Sequence, residues 1–307
     1  MPINASVFHK SMKLDEGRLE QSDSECPFCR SKNRQKVYTL QENPEVFLLL
    51  CNECYAVSAS RMPTDEALAE YYSKYYDSTT AKTYDSQITL DKPERLARNL
   101  VHLYNSYIPD KVVSILDFGG GDGTISHLAG KQIIKKGAAQ VKITVVEYGT
   151  KIVNPQDHRI VIERVNSLDD IVAEYGLVIA SAVIEHYPHP RALLRNLLQC
   201  MEVGGIIYAR TPYIYPIMKL LQPIGVRVDF TFPGHLHDLG QSFWEGYFMR
   251  EQSGGFQILQ SRPSIVETTF RKHFLRTVAA HLLKAPWYLL GKSYKFVGGW
   301  EIFVQKN

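Results

Sequence analysis

Val112-Val113-Ser114-Ile115-Leu116-Asp117-Phe118-Gly119-Gly120-Gly121-Asp122-Gly123-Thr124 is the stretch whose reading decides the fold of this chain. Its opening run of branched apolar residues is the pattern of a parallel strand buried on both faces. The strand ends on an acid and breaks into a turn with four glycines, after which Ile125, Leu128 and Ile133 mark a helix. Strand, glycine turn and helix N-terminus together let backbone approach a nucleotide-like ligand closely.

Glycine spacing separates the ligands that suit this geometry. A dinucleotide fingerprint requires G-x-G-x-x-G. Counting from Gly119 the third position is Thr124, and from Gly121 it is Ser126, so neither register completes it. The stretch does match Asp-x-Gly-x-Gly-x-Gly at Asp117, Gly119, Gly121 and Gly123. It resembles motif I of the class I S-adenosylmethionine (SAM) methyltransferases. SAM has no pyrophosphate to cradle but carries an ammonium and a sulfonium, which an acid beside the turn attracts.

The following segments continue the alternation of strands and helices. Val141 to Val146 reads as a second buried strand ending at Glu147, and an acid there can accept both ribose hydroxyls, in SAM or in NAD. The resemblance implies that Glu147 takes this role, with Tyr148 beside the adenine and Asn166 and Ser167, after the strand Ile160–Ile162, at the adenine edge. Leu177 to Val183 is the fourth strand, and Ile184-Glu185-His186-Tyr187-Pro188 after it resembles the family's Glu-His-proline signature. The carboxyl end of a strand beside the first is where an open α/β sheet binds ligand. Ser181 and Ala182 are therefore expected to flank SAM, with Glu185 and His186 facing the acceptor. Ubiquinone-type O-methyltransferases hold a divalent metal with a Glu three residues before the Glu-His pair; Ala182 stands there, and no catalytic magnesium is expected.

Helix Arg191 to Met201 precedes Gly204-Gly205 and the strand Ile206 to Ala209. An insertion at 211–240, rich in Pro, Tyr and His, reads as lid and wall of an acceptor pocket. Helix Gln241–Arg250, strand Phe256–Gln260 after Gly254-Gly255, and Gly298 to Gln305 complete the pattern, the last as the antiparallel strand of the family's sheet. The expected fold is α/β: a Rossmann-like seven-stranded class I methyltransferase sheet with a small N-terminal zinc-ribbon-like module. The segments are a tail 1–22, the ribbon 23–62, a helical linker or cap 63–110, and the SAM-binding domain 111–307 with the lid and a helical insertion at 264–295.

The ribbon rests on Cys26-Pro27-Phe28-Cys29 and Cys51-Asn52-Glu53-Cys54, two C-x-x-C units separated by 21 residues. Each can supply two thiolates to a structural Zn2+, with Lys36–Leu40 and Val46–Leu50 as a hairpin around Asn43-Pro44. So small a module buries too little apolar surface alone, so metal binding becomes folding energy. Arg30 and Tyr55 stand where ribbons often carry glycine for a positive φ. Next, Thr64 can cap a helix whose face carries Leu68, Tyr71, Tyr72 and Tyr75, either as packing or as pocket lining. Tyr84-Asp85 precedes a second helix with Leu96, Leu100, Leu103 and Tyr107 on one face. This layout resembles bacterial methyltransferases acting on sugars or small molecules.

Composition limits the function classes. Of 307 residues 45% are hydrophobic and 22% charged, which describes a globular chain rather than a disordered one. A formal charge of +3 is too slight for a nucleic-acid stripe, and Lys32, Arg34 and Lys36 make only a modest patch, so no nucleic-acid partner is expected. Met1 to Gln21 lacks a signal-peptide core, and Phe274 to Leu290 is interrupted by Arg276, His281, Lys284 and Pro286, so stable membrane insertion is not expected. That segment is amphipathic, and packing on the domain or on a partner in a homodimer ranks ahead of a membrane-surface role. Cys200 reads as a core residue, and closely paired cysteines point to a reducing, cytoplasmic setting. The expected activity is SAM-dependent O-methylation of a small polar acceptor such as a sugar or sugar nucleotide. His186, His235 and His237 are the candidate bases, with Glu185 beside them. N-methylation, an NAD-linked enzyme, and a zinc-ribbon binding protein with a non-catalytic Rossmann-like half are the alternatives.

Overall fold

The computed structural model describes residues 3–4, 11–76, 90–104, 111–148, 151–250 and 255–307. Tyr84, Asp85, Tyr107 and Gly254 of the sequence reading lie outside them. The chain opens with β1 (Ile3–Asn4), the hairpin of β2 (Arg34–Glu42) and β3 (Glu45–Cys51), β4 (Val57–Ala59), and helices α1 (Asp65–Tyr76) and α2 (Pro93–Leu103). Then follow β5 (Val112–Phe118), α3 (Thr124–Lys135), β6 (Gln140–Val146), β7 (Ile160–Val165), β8 (Tyr175–Ser181), α4 (Pro190–Gln199) and β9 (Met201–Tyr213). The insertion holds α5 (Tyr215–Leu221), β10 (Val228–Asp229) and β11 (His237–Asp238). Last come α6 (Gln241–Arg250), β12 (Phe256–Pro263), α7 (Phe274–Lys284), α8 (Trp287–Leu290) and β13 (Gly298–Lys306).

Seven strands form the central sheet in the order β12-β13-β9-β8-β5-β6-β7, with β13 antiparallel to both neighbours and the others running one way. The expected α/β sheet with an antiparallel last strand is therefore present. Alternate residues of β5 and β8 feed two cores. Ile115, Leu177 and Ile179 meet Leu96 and Leu100 of α2 and Ala129 and Ile133 of α3. Leu116, Phe118, Val178 and Ala180 meet Leu193, Leu194 and Leu197 of α4 and Phe243 and Trp244 of α6. At about 1.5–3 kcal/mol per buried side chain, those three α4 leucines alone contribute on the order of a domain's whole net stability.

Two strands differ from the sequence reading for local reasons. β8 ends at Ser181 rather than Val183, because Ala182 turns to φ +57° and leaves the ladder. β9 starts at Met201 and contains Gly204-Gly205 instead of following them. The register jumps from Tyr175↔Met201 to Leu177↔Ile206, and a Cβ at Gly205 would lie 2.9 Å from the Tyr175 carbonyl oxygen, so glycine lets the strand bulge there. Phe274–Leu290 divides into α7 and α8 at Ala285-Pro286, where proline has no N–H to donate.

The cysteine module does not stand apart from the insertion. β4 pairs with β3 on one side and with β11 on the other, at His237↔Ser58 and Asp238↔Val57. Leu14, Tyr38, Val46 and Leu48 share a third core with Met218, Phe230, Phe232 and Leu236 of the insertion. The small hairpin thus gains its apolar burial from the insertion. Asp238 accepts from the Ile214 and Tyr215 amides at 2.7 and 2.9 Å, tying β11 to the start of α5.

Candidate active site

The glycine turn is shaped around an acid. Asp117 is buried near the end of β5, and burial pushes its carboxyl up to about 6 against hydrogen bonds from Ser126, with the charges of Glu147 and Asp122 adding to the rise. Its Oδ2 is buried without a partner. A Cβ on Gly120 would sit 2.4 Å from Asp117 Cγ, so this glycine, absent from the sequence-level site, makes room for the carboxylate. Gly119, Gly121 and Gly123 have φ of +66°, +59° and +78°. A Cβ on Gly119 would meet Val183 Cγ2 at 2.5 Å, which brings the turn against the end of β8.

Glu147 follows β6 and is held at the same turn. Gly121 N–H donates to its Oε2 at 3.2 Å and Tyr148 N–H to its Oε1 at 2.8 Å, while Tyr148 itself is 76% exposed. The Glu147 amide donates to the Val165 carbonyl at 3.1 Å, so Asn166 is one residue away from Glu147's neighbour, on the exposed side. Ser167 Oγ accepts from the Asp169 amide at 3.1 Å and Asp170 Oδ2 accepts from the Ser167 amide at 3.2 Å, a capping box that occupies its hydroxyl. Ser181 Oγ accepts from Arg210 Nε at 3.1 Å, and Arg210 Nη1 reaches Glu267 Oε1 at 2.8 Å. Asp117, the glycines, Glu147, Ser181 and Ala182 therefore gather around one turn. Asp117, Asp122 and Glu147 repel one another there, which suits a cationic ligand such as SAM and opposes the pyrophosphate of NAD.

Beyond Ala182 the chain makes one 3-10 turn, Ile184–His186. Glu185 is fully enclosed, burial pushes it up to about 8, and its Oε2 has no partner. His186 Nδ1 lies 2.5 Å from the Gly234 carbonyl, which assigns that nitrogen as the donor. Burial lowers His186 to about 4, although the Gly234 and Ala182 carbonyls favour its charged form. Its ring is 5.0 Å from that of His235 and 6.3 Å from that of Tyr72, and Tyr72 Oη donates to the Gly234 carbonyl at 3.5 Å. One ligand atom each from Glu185, His186 and His235 lie within 4.8 Å of one another, close enough to share one polar group or one cation.

His237 is set apart from the other two candidate bases. Its Nδ1 accepts from Ser58 Oγ at 3.0 Å and its Nε2–H donates to the Tyr187 carbonyl at 2.8 Å, and burial lowers it to about 3. Phe28 of the first C-x-x-C unit packs edge-on against its ring at 5.0 Å. The ring is a fixed strut between β4 and the loop after His186. Tyr72, Gly234 and Ser58 were not assigned roles from sequence; only the tyrosine stripe of α1 hinted at the first.

The four cysteines converge on one point, their sulfurs within 4.8 Å of one another. Cys26 N–H donates to Ser31 O and Arg30 N–H to Cys26 O, both at 2.9 Å, and Cys51 and Tyr55 repeat the turn with Ala56 and Cys51. Arg30 and Tyr55 take φ of +64° and +63°, so both knuckles form without glycine. Arg34, counted in the basic patch from sequence, is half-buried under the cluster with Nε and Nη2 unpartnered, next to Cys26, Cys51 and Cys54. Four thiolates around a divalent ion carry net negative charge, and a guanidinium facing them offsets it. Lys36 covers the Phe47 ring at 3.3 Å, which removes a second member of that patch.

A seven-stranded sheet of this order, an acid-rich glycine turn, an acid after the second sheet strand and a buried Glu-His pair after the fourth define a class I SAM-dependent methyltransferase. A family model described as a methyltransferase domain matches residues 84–262, more than half of the chain, and the chain belongs to that family. Among solved structures it is similar to the plantazolicin methyltransferase BpumL in complex with a triazolic desmethylPZN analog and SAH, at 16% identity and a TM-score of 0.49 over 78% of this chain and 95% of that one. It is also similar to an S-adenosylmethionine-dependent methyltransferase from Mesorhizobium loti, at 14% identity and 0.39 over 70% and 99%. A third likeness is to coclaurine N-methyltransferase bound to N-methylheliamine and SAH, at 11% and 0.43 over 70% and 70%. No curated protein matches the chain.

Proposed function

We propose that the chain O-methylates a small polar acceptor, of which a sugar or sugar nucleotide is the preferred class, with His186 as the group that receives the acceptor's proton. The observation that carries this reading is an uncharged imidazole, oriented by a backbone carbonyl and enclosed with Glu185, His235 and Tyr72 at the carboxyl end of β8. An alcohol must lose its proton as the methyl carbon is attacked, and a neutral imidazole can take it.

SAM supplies a methyl group on a sulfonium, whose departure as a neutral thioether needs no acid. Asp117 and Asp122 would hold the cationic end of that ligand at the glycine turn, and Glu147, which accepts from the Gly121 amide, would accept from the ribose hydroxyls. Gly119, Gly121, Ser181 and Ala182 form the wall, with Tyr148, Asn166 and Ser167 at the adenine end. His186 holds the acceptor oxygen in line and takes its proton at Nε2, with Glu185 Oε1 4.0 Å from that nitrogen. His235 closes the pocket from the lid.

N-methylation of a small amine is the second reading, favoured by the unpartnered, buried Glu185 Oε2, which would pair with an ammonium. The Cys26, Cys29, Cys51 and Cys54 module holds a structural Zn2+ in this reading and supports the lid; a reducing, cytoplasmic setting suits cysteines that form no disulfide. The chain is organised as a tail 1–22, ribbon 23–62, helical cap 63–110 and SAM-binding domain 111–307.

Stabilisation of the purified protein by SAM or S-adenosylhomocysteine but not by NAD, followed by methyl transfer to a panel of sugars, sugar nucleotides and amines, tests the assignment. His186→Ala is expected to lower turnover of a hydroxyl acceptor by about 100-fold or more while leaving SAM affinity unchanged. Unchanged turnover would remove His186 from the reaction.

A further inference from the structure

Residues 268–297 form a surface the methyl-transfer site does not use. This stretch contains Arg271, Lys272, Arg276, Lys284, Lys292 and Lys295 and no Asp or Glu. The whole chain has 35 basic and 32 acidic residues, so the remainder holds 29 against 32 and is net acidic. The positive charge of the protein is therefore concentrated here. Phe270, Phe274, Leu275, Leu282, Leu289 and Leu290 of the same stretch are exposed, Leu275 at 80% and Leu289 at 90%.

The segment is nonetheless anchored. Lys284 Nζ donates to the Ser264 carbonyl at 2.5 Å and to its hydroxyl at 3.0 Å, Tyr294 Oη donates to the Leu283 carbonyl at 2.9 Å, and Trp287 packs edge-on against Trp300 at 5.7 Å. Thr277 and Lys284 face the domain, while Leu275 and Leu282, seven residues apart, face outward. An ordinary surface helix turns its leucines inward and its charges outward. α7 turns leucines outward and flanks them with cations, the arrangement that lies in a lipid interface.

We propose that the surface formed by 268–297 docks on an anionic phospholipid bilayer, its leucines and phenylalanines entering the headgroup–acyl boundary and its lysines and arginines meeting lipid phosphates. Charge decides between this occupant and a second copy: a two-fold self-association would press one cationic patch against its equal. No helix among the described residues is long and apolar enough to cross a membrane. The Ser181–Arg210–Glu267 contacts link the patch, three residues from Glu267 at Phe270, to the end of β8.

The test is sedimentation of the full chain with vesicles of phosphatidylcholine, with and without phosphatidylglycerol. Lys272 already pairs with Asp91 and Lys292 with Glu245, so Arg271, Arg276 and Lys295 are the charges to neutralise. Binding is expected only with phosphatidylglycerol and should weaken with salt. Each basic residue at such a surface contributes roughly fivefold, so Arg271→Gln/Arg276→Gln/Lys295→Gln should lower partitioning on the order of 100-fold. Leu275→Ser/Leu289→Ser should also release the protein, and both variants should keep the wild-type Tm and SAM affinity because these side chains are exposed. Failure of the folded wild type to bind phosphatidylglycerol vesicles would overturn the proposal, as would equal binding by wild type and both variants. Dissociation of a dimer by Leu275→Ser/Leu289→Ser without any vesicle binding would instead give the face to a second copy.

Discussion

Replacing His237 with Phe tests whether the cysteine module sets the acceptor side of the site. The substitution keeps the ring that Phe28 packs against at 5.0 Å, but removes the partner of Ser58 Oγ at 3.0 Å and of the Tyr187 carbonyl at 2.8 Å. Ser58 is itself buried. A buried polar group left unpaired costs about 1–3 kcal/mol, so the two together cost about 2–6 kcal/mol. At about 2–4 °C per kcal/mol for a chain of this size, Tm should fall by roughly 4–24 °C. The damage is local, because Tyr187 follows His186 directly and β4 meets β11 through this residue. Calorimetric unfolding, a turnover assay and SAM titration would show a lower Tm and turnover with SAM affinity kept, since Asp117 and Glu147 sit on β5 and after β6, outside the insertion. A Tm within about 2 °C of wild type would refute the strut. Parallel loss of SAM binding would show that the insertion and the cofactor site are one unit.

Glu147→Ala removes the group proposed to accept the ribose hydroxyls, and titration should show SAM affinity about 10- to 100-fold weaker with turnover at saturating SAM preserved. Glu185→Gln probes a carboxyl pushed up to about 8 in the folded chain from an ordinary value near 4.5. The folded state keeps a proton the unfolded state loses, so wild-type stability falls between those two pH values; the variant lacks this slope, and its Tm advantage should widen from about pH 4.5 to about pH 8 and then level. A constant difference across that range would contradict the burial of Glu185. Atomic absorption should find one zinc per chain, and chelation should lower Tm and turnover together; a chain free of zinc with unchanged Tm would refute the metal role of the four cysteines.

Strand and helix periodicity made the sheet legible because each element carries its own apolar pattern. α6 could be assigned as Gln241–Arg250 from local residues alone, whereas the antiparallel direction of β13 was implied by the family resemblance. Strand ends were less legible. Nothing in Ser181-Ala182-Val183 announces that Ala182 turns left-handed, because the cause is the approach of Gly119 to Val183, 64 residues apart in sequence. His186, His235 and His237 likewise look equivalent as three histidines near prolines and tyrosines.

By itself the sequence determined the fold class, the acid-rich glycine turn and the pairing of two C-x-x-C units, since residue type at short spacing carries each of these. Tertiary structure decided the rest. It completed the ribbon's sheet with a strand of the insertion 178 residues later than Val57-Ser58-Ala59, placed Arg34 under the cysteines, and separated His237 from His186 and His235. Those distinctions depend on which chain segments share a hydrogen bond or a core across long sequence separations, and no local pattern of side chains encodes that.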